Sequence, residues 1–242
     1  MNCLQAFFSH RHIVLPVIHV VNGQQALQNA WVAYETGADG VFLINHEVDG
    51  KRPLTYNHLL DIHNEVTQAL PDWWLGLNCL DLEPHETFQH LPPQVAGLWV
   101  DNAMIDERQA AQPEAERIKA GQTESQWSGL YFGGVAFKYQ RDVMDVSAAA
   151  QTAVAYTDII TTSGFATGQA AALTKIPTMR AALGDHPLDP TGCGDAFQAA
   201  FVVSCWQTGD IEVALQQGAE QAAIIFQYWP KCLAANNFVQ RL

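Results

Sequence analysis

The sequence predicts an α/β fold made of one repeated unit: a short apolar run, a polar turn, then a helical stretch. Apolar runs of strand length recur six times before residue 188, and each leads into a stretch with helical character. No two such runs follow each other directly, so the expected sheet is parallel and covered by helices. The first run, IVLPVIHVV (13–21), is apolar on both faces, as a strand buried on both sides must be.

In order, Ile13–Val21 is the first strand, and Asn22-Gly23 turns it into a helix over Gln24–Glu35. Thr36-Gly37-Ala38-Asp39-Gly40 ends that helix with a glycine cap and delivers strand two, Val41–Asn45. Thr55–Leu70 carries Leu59, Ile62, Val66 and Leu70 near helical spacing and stops at Pro71-Asp72. Strand three is Trp73–Leu80, followed by a short helix, Glu83–His90, closed by Pro92-Pro93. Val95–Val100 is strand four, with a helix over Pro113–Ala120. Gly129–Lys138 is strand five, and its Gly133-Gly134 pair predicts a bend. Ser147–Tyr156 is helical, Asp158–Ser163 is strand six, and Gln169–Leu183 is the sixth helix.

Six such units fill about 185 residues, whereas a closed (β/α)8 barrel takes about 250. The chain has 242, yet its last part is Ala- and Gln-rich and reads as helix near 195–207 and 211–228. The expectation is a TIM-barrel-like repeat with six evident strands, an incomplete barrel and a helical tail. Two open sheet edges and the apolar tail residues predict a homo-oligomer.

Composition narrows the partners. The formal net charge is −13, so the surface repels nucleic-acid phosphates and anionic lipid heads. No apolar run approaches the roughly 20 residues that span a bilayer. Five cysteines are scattered without a C-x-x-C pair, and His10, Arg11 and His12 precede an apolar run broken by Pro16 and His19. A cytoplasmic protein with reduced thiols and a small-molecule ligand is expected. The pairs His58/His63 and His85/His90 are five residues apart and do not share a helix face, which excludes a zinc-protease site. The sequence singles out neither a metal nor a cofactor.

One stretch breaks the rhythm: Asp189-Pro190-Thr191-Gly192-Cys193-Gly194-Asp195. Its glycines let the backbone approach an anion, and a helix beginning at Asp195 or Ala196 offers free N–H groups. The alternative is a helix cap after a glycine turn, with Asp195 as the cap. DPTGCGDAFQAAF resembles the signature of PfkB (ribokinase-like) sugar and nucleoside kinases. That resemblance covers about 189–229 and implies an anion hole at Gly192, Cys193 and Gly194, with Asp195 as catalytic base. Nothing upstream resembles that family's substrate-binding half.

The first 187 residues resemble the BtpA family instead. The matching stretches are Ile13–Val20, TGADGVFLIN (36–45), GLNCLD (76–81), FGGVAFKY (132–139), DIITTSGFATGQAA (158–171) and KIPTMRAALGDHPL (175–188). The resemblance implies a TIM barrel. Its members are linked to photosystem I biogenesis in phototrophs, which offers a non-enzymatic assembly role as an alternative. On this reading the chain divides into a BtpA-like barrel region (1–187) and a kinase-like helical tail (188–242). DPTGCGD stands where such a barrel needs strand seven, which puts the usual phosphate cup after strands seven and eight in question.

Parallel strands put their C-terminal ends on one face, where ligands bind. The polar residues there are His19, Asn45, Glu47, Asn78, Asp81, Asp101, Asn102, Lys138, Thr162 and Ser163. Lys138 suits a phosphate or carboxylate, or a Schiff base if burial lowers its pKa. Asp101 and Glu47 suit acid–base work or a divalent cation. His19 suits proton transfer or a structural hydrogen bond, and Thr167-Gly168 suits N–H donation to an anion. The ligand expected is a small phosphorylated or sugar-containing metabolite.

Overall fold

A computed structural model describes residues 3–8, 13–46, 54–166, 171–172, 174–184, 186–190, 204–205, 207–214 and 216–217. Among these, seven parallel strands form one sheet in sequence order. They are β1 (Val17–His19), β2 (Gly40–Ile44), β3 (Trp74–Asn78), β4 (Gly97–Val100), β5 (Leu130–Gly134), β6 (Ile159–Thr162) and β7 (Leu188–Pro190). Six helices alternate with them: α1 (Gly23–Glu35), α2 (Tyr56–Ala69), α3 (Pro84–His90), α4 (Pro113–Ser125), α5 (Val146–Ala153) and α6 (Lys175–Leu183).

Local chemistry sets the helix starts. Asn22 Oδ1 accepts from Gln25 N at 2.9 Å, and Asp145 Oδ1 accepts from Ala148 N at 2.9 Å. Pro84 and Pro113 open α3 and α4, where a missing N–H costs no helical bond.

The sheet separates two layers of packing. Val41, Leu43, Leu75, Leu77, Leu98 and Val100 face the helices and pack with Ala26 and Ala30 of α1 and Leu59 and Val66 of α2. The alternating positions Phe42, Trp74, Phe132 and Ile159 form an aromatic cluster on the other face, joined by Phe8. The Phe42 ring centroid lies 5.1 Å from that of Trp74 and 5.0 Å from that of Phe132, nearly edge-on in both cases. Gly97 makes this possible: a Cβ there would lie 2.3 Å from Trp74 Cζ2, so the indole needs a bare backbone beneath it.

The six expected strands are all present, and a seventh joins them. The sequence reading ended the repeat before DPTGCGD, but Leu188–Pro190 pairs with Ile160–Thr162 in parallel register. Ile160 N donates to Pro187 O at 3.1 Å, which starts the ladder one residue earlier. Pro190 has no N–H to give, which an edge strand tolerates. Among the described residues β1 and β7 are the two ends of the sheet and do not pair with each other. The seventh strand carries the sheet past residue 187, where the tail was expected to begin.

Two element boundaries moved for clear reasons. The first strand shrinks from Ile13–Val21 to three paired residues, because Val14 is bonded instead to Asp39 through both its N–H and its C=O. The sixth helix starts at Lys175 rather than Gln169, so that Pro177 falls in its first turn. Deeper in a helix its ring would clash with the carbonyl four residues back. In the tail, the described residues 204–205, 207–208, 211–214 and 216–217 are helical, and the rest of the expected tail helices lies outside the described residues. No helix among the described residues is long and apolar enough to cross a membrane.

Candidate functional site

Strand alternation decides which polar side chains face the aromatic layer. On β1, Ile18 packs toward the helices, so His19 faces the other way. On β3, Leu75 and Leu77 face the helices, which leaves Asn78 on the inner side at the strand's C-terminal end. On β4 the same logic places Trp99, and Asp101 just past the strand, on the inner side. Asn78 is buried and its Nδ2 donates to Asp101 Oδ1 at 3.0 Å. The neighbouring strand comes equally close: a Cβ on Gly134 would lie 2.1 Å from Asp101 O. Gly134 is therefore what lets the end of β5 lie against Asp101.

The loop after β5 folds over this end of the sheet. Gln140 Nε2 donates to Asp101 O at 2.7 Å and to Gly134 O at 3.1 Å, which draws the loop back onto β4 and β5. Phe137 sets its ring 5.9 Å from that of Trp99. Lys138 N donates to Ser163 Oγ at 2.8 Å, and Tyr139 N donates to Phe165 O at 3.4 Å, so the loops after β5 and β6 are tied together. Ala136 and Tyr139 hold φ of 49° and 62°, and Met104 in the loop after β4 holds 58°. Left-handed backbone at non-glycine residues is strained, and among the described residues it is confined to the loops beside Asp101 and Lys138, apart from turns at Asp72 and Gln126.

Electrostatics link the two sides of this mouth. Partial burial pushes the His19 imidazole below its ordinary pKa, with further lowering from His46 and from the Lys138 ammonium. The His19 and His46 rings stand 5.2 Å apart. A neutral His19 at neutral pH is a proton acceptor, and the charge of Lys138 acts on it from across the sheet. An ion-pair cluster holds the outer loops: Arg141 binds Asp106 at 2.8 Å and also Glu107. Hydrogen bonds from Arg108 and Gln109 hold the Asp106 carboxyl well below the usual range, and Arg141 does the same for Glu107.

Sequence reasoning missed Lys175. Its ammonium donates to Ser163 O at 2.6 Å and to Ala136 O, which clasps the same two loops from the helix side. Thr162 Oγ1 reaches the same Ala136 carbonyl at 3.3 Å. Burial lowers the Lys175 pKa to about 8. A signal was present: Pro177 forces Lys175 to the first turn of α6, where the helix dipole disfavours a cation. A lysine there needs other partners, and the two carbonyls are those partners.

Of the residues expected at the mouth, His19, Asn78, Asp101, Lys138 and Ser163 lie at the C-terminal ends of the strands or in the loops that follow them. Asn45 faces the helices rather than the inner side. It shares the helix-facing side with Val41 and Leu43, is fully buried, and staples the loops after β2 and β3. Its amide donates to Leu54 O at 2.8 Å and to Asp81, and its Oδ1 accepts from Leu80 N at 2.7 Å. Asp81 is drawn in the same way to Tyr56 N at 2.7 Å. Glu47, Thr167, Gly168, Gly192, Cys193, Gly194 and Asp195 lie outside the described residues. Among the described residues no three His, Cys, Asp or Glu side chains gather in a set that would hold a metal ion.

The architecture is TIM-barrel-like. A solved structure of oxaloacetate acetylhydrolase superposes over 90% of this chain and 93% of its own, with a TM-score of 0.51 at 12% identity. An enolase-superfamily member of unknown role from Enterococcus faecalis aligns over 76% of this chain, with a TM-score of 0.46 at 13% identity. A mandelate racemase/muconate lactonizing enzyme from Roseiflexus sp. aligns over 89%, with a TM-score of 0.47 at 12% identity. The chain spans 44% and 56% of the length of these last two. Likeness at this identity shows the fold alone. No family model matches the chain, and no curated protein matches it.

Proposed function

We propose that this protein is an enzyme that binds and converts a small phosphorylated or sugar-containing metabolite at the C-terminal ends of its strands. One observation supports the reading: in a chain of net charge −13, the Lys138 ammonium acts on the His19 imidazole, and both belong to the strand ends that also carry the Asn78–Asp101 pair. Lys138 neutralises the anionic group. Asp101, oriented by Asn78, exchanges a proton with the ligand, and neutral His19 serves as a second proton carrier. The oxaloacetate acetylhydrolase likeness, a match of fold, is compatible with a small anionic substrate.

The same reading makes the protein cytoplasmic and self-associating, with the barrel region, which β7 extends to Pro190, carrying the chemistry and a helical tail after it. The kinase alternative rests on Gly192–Asp195, outside the described residues, and the BtpA-type assembly role has no separate support in the site. A thermal-shift screen of sugar phosphates against the protein and its Lys138→Ala variant tests the proposal. Stabilisation by at least one sugar phosphate, lost in the variant, is expected. Equal response of both proteins to every anion would overturn it.

A further inference from the structure

The inner wall beneath the mouth carries hydrogen-bonding atoms that the fold itself does not use. Ile159 belongs to the aromatic cluster of the inner layer, and Ile160 packs with Ala149, Ala150 and Met179 on the helix side. Thr161, two residues on from Ile159, therefore faces inward. It is 2% exposed, and its hydroxyl has no hydrogen-bond partner among the described residues. Trp99 presents the same situation on β4. Its ring packs against Phe42 at 5.8 Å and Phe137 at 5.9 Å, and its indole N–H is buried without an acceptor. Trp99 pairs in register with Phe132, and Phe132 with Ile159. Thr161 is thus one inward-facing position closer to the mouth than Trp99.

An indole N–H only donates, and a threonine hydroxyl donates or accepts. The complementary group is an oxygen. The surroundings decide which kind: Phe132 lies level with Trp99, Phe42 and Trp74 lie below it, and the Asp101 carboxylate follows Val100 at the level of Gly134 and Thr161, so a further negative charge here would be strongly disfavoured. A carbonyl or hydroxyl oxygen is not. The charged end of a ligand belongs higher up, at Lys138.

We propose that the inner wall at Thr161 and Trp99 is a subsite for an uncharged oxygen of the ligand, so that the substrate carries an anionic group at one end and a hydroxyl or carbonyl oxygen at the other. This rests on the anion-binding reading of the mouth and narrows its substrate class. Thr161 is then a specificity-determining residue, and Lys138 sets only the charge.

Calorimetric titration with three probes tests this: inorganic phosphate, propyl phosphate and glycerol phosphate. The last two share an anion and a carbon count and differ in their hydroxyls. The expected result is tighter binding of glycerol phosphate than of propyl phosphate by about tenfold, the worth of one good buried hydrogen bond. Thr161→Val should erase that preference, and Thr161→Ser should restore it. If Thr161→Val does not fold, Trp99→Phe, which keeps the ring and removes the N–H, should reduce the preference instead. Equal binding of the two organic phosphates by the unaltered protein overturns the subsite and leaves the anion site standing. A preference that survives both variants overturns it too, as does a crystal structure with glycerol phosphate in which only a water bridges Thr161 and Trp99. Failure of all three probes to bind overturns the anion reading itself, and the subsite with it.

Discussion

The Asn78 side-chain amide donates to Asp101 Oδ1 at 3.0 Å, joining the ends of β3 and β4. Asn78 is buried, so the bond both holds the strands in register and fixes the direction in which the carboxylate points. Asn78→Ala should destabilise the fold by about 1–3 kcal/mol in urea denaturation, the range for losing a buried hydrogen-bonding group. Asn78→Asp should cost more at neutral pH, because it sets a second carboxylate against Asp101. Its Tm should recover toward that of the parent as the pH falls through the carboxylate range.

Gly134→Ala is expected to be worse than its single methyl suggests. The new Cβ would meet Asp101 O at 2.1 Å, a backbone atom that cannot rotate away. Either β4 or β5 must shift, at about 1–3 kcal/mol for overpacking. The readout that separates this from simple destabilisation is ligand binding at a temperature where the variant is still folded. A variant that binds as well as the parent would show that the close approach does not position Asp101.

Lys175 gives an alkaline signature. Its pKa falls to about 8 in the folded chain, against about 10.4 when unfolded. Between those values the unfolded chain binds more protons, so this group makes stability rise with pH over that window. Below pH 8 the burial cost is fully present. Ionising thiols and tyrosines, held protonated by burial at Cys79 and Tyr56, pull the other way, so the total curve is not diagnostic. The difference between the parent and Lys175→Met is. It should grow in the parent's favour from about pH 8 to 10.5 in parallel denaturation series, and a flat difference would show that Lys175 stays charged throughout.

His63 acts on the acid side. It is fully buried on α2, and burial pushes its pKa down to about 4. The folded chain keeps it neutral while the unfolded chain protonates it near 6.5. Its contribution is therefore complete above about pH 6.5 and is lost as the pH falls toward 4, a change of roughly 3 kcal/mol. His63→Leu should flatten the stability curve between those pH values.

Much of this fold was legible because parallel strands announce themselves as doubly apolar runs: β3 through β6 each sit within the run that predicted them, and β2 starts one residue before its run, at Gly40. Leu188–Pro190 did not, since three residues containing a proline carry too little pattern and gain their place only from the neighbour they pair with. The strand ends were legible as a face, not as roles. Asn78 and Asn45 look alike at strand ends, and only the parity of Leu77 and Leu43 shows that one faces the mouth and the other the helices. Thr161 was hidden for the opposite reason: in a run of Ile, Ile, Thr and Thr it reads as β-propensity. Its missing partner is a property of three dimensions.

The contact between Phe137 and Trp99 turns the β5 loop into its own optical probe. The Trp99 indole N–H is buried without an acceptor, and its ring lies 5.9 Å from the Phe137 centroid. Any shift of that loop changes the polarity above the ring and hence the wavelength at which it emits. Six other tryptophans emit as well, so occupancy should be read as the part of the intrinsic fluorescence change that Trp99→Phe removes, without a label and without knowledge of the reaction.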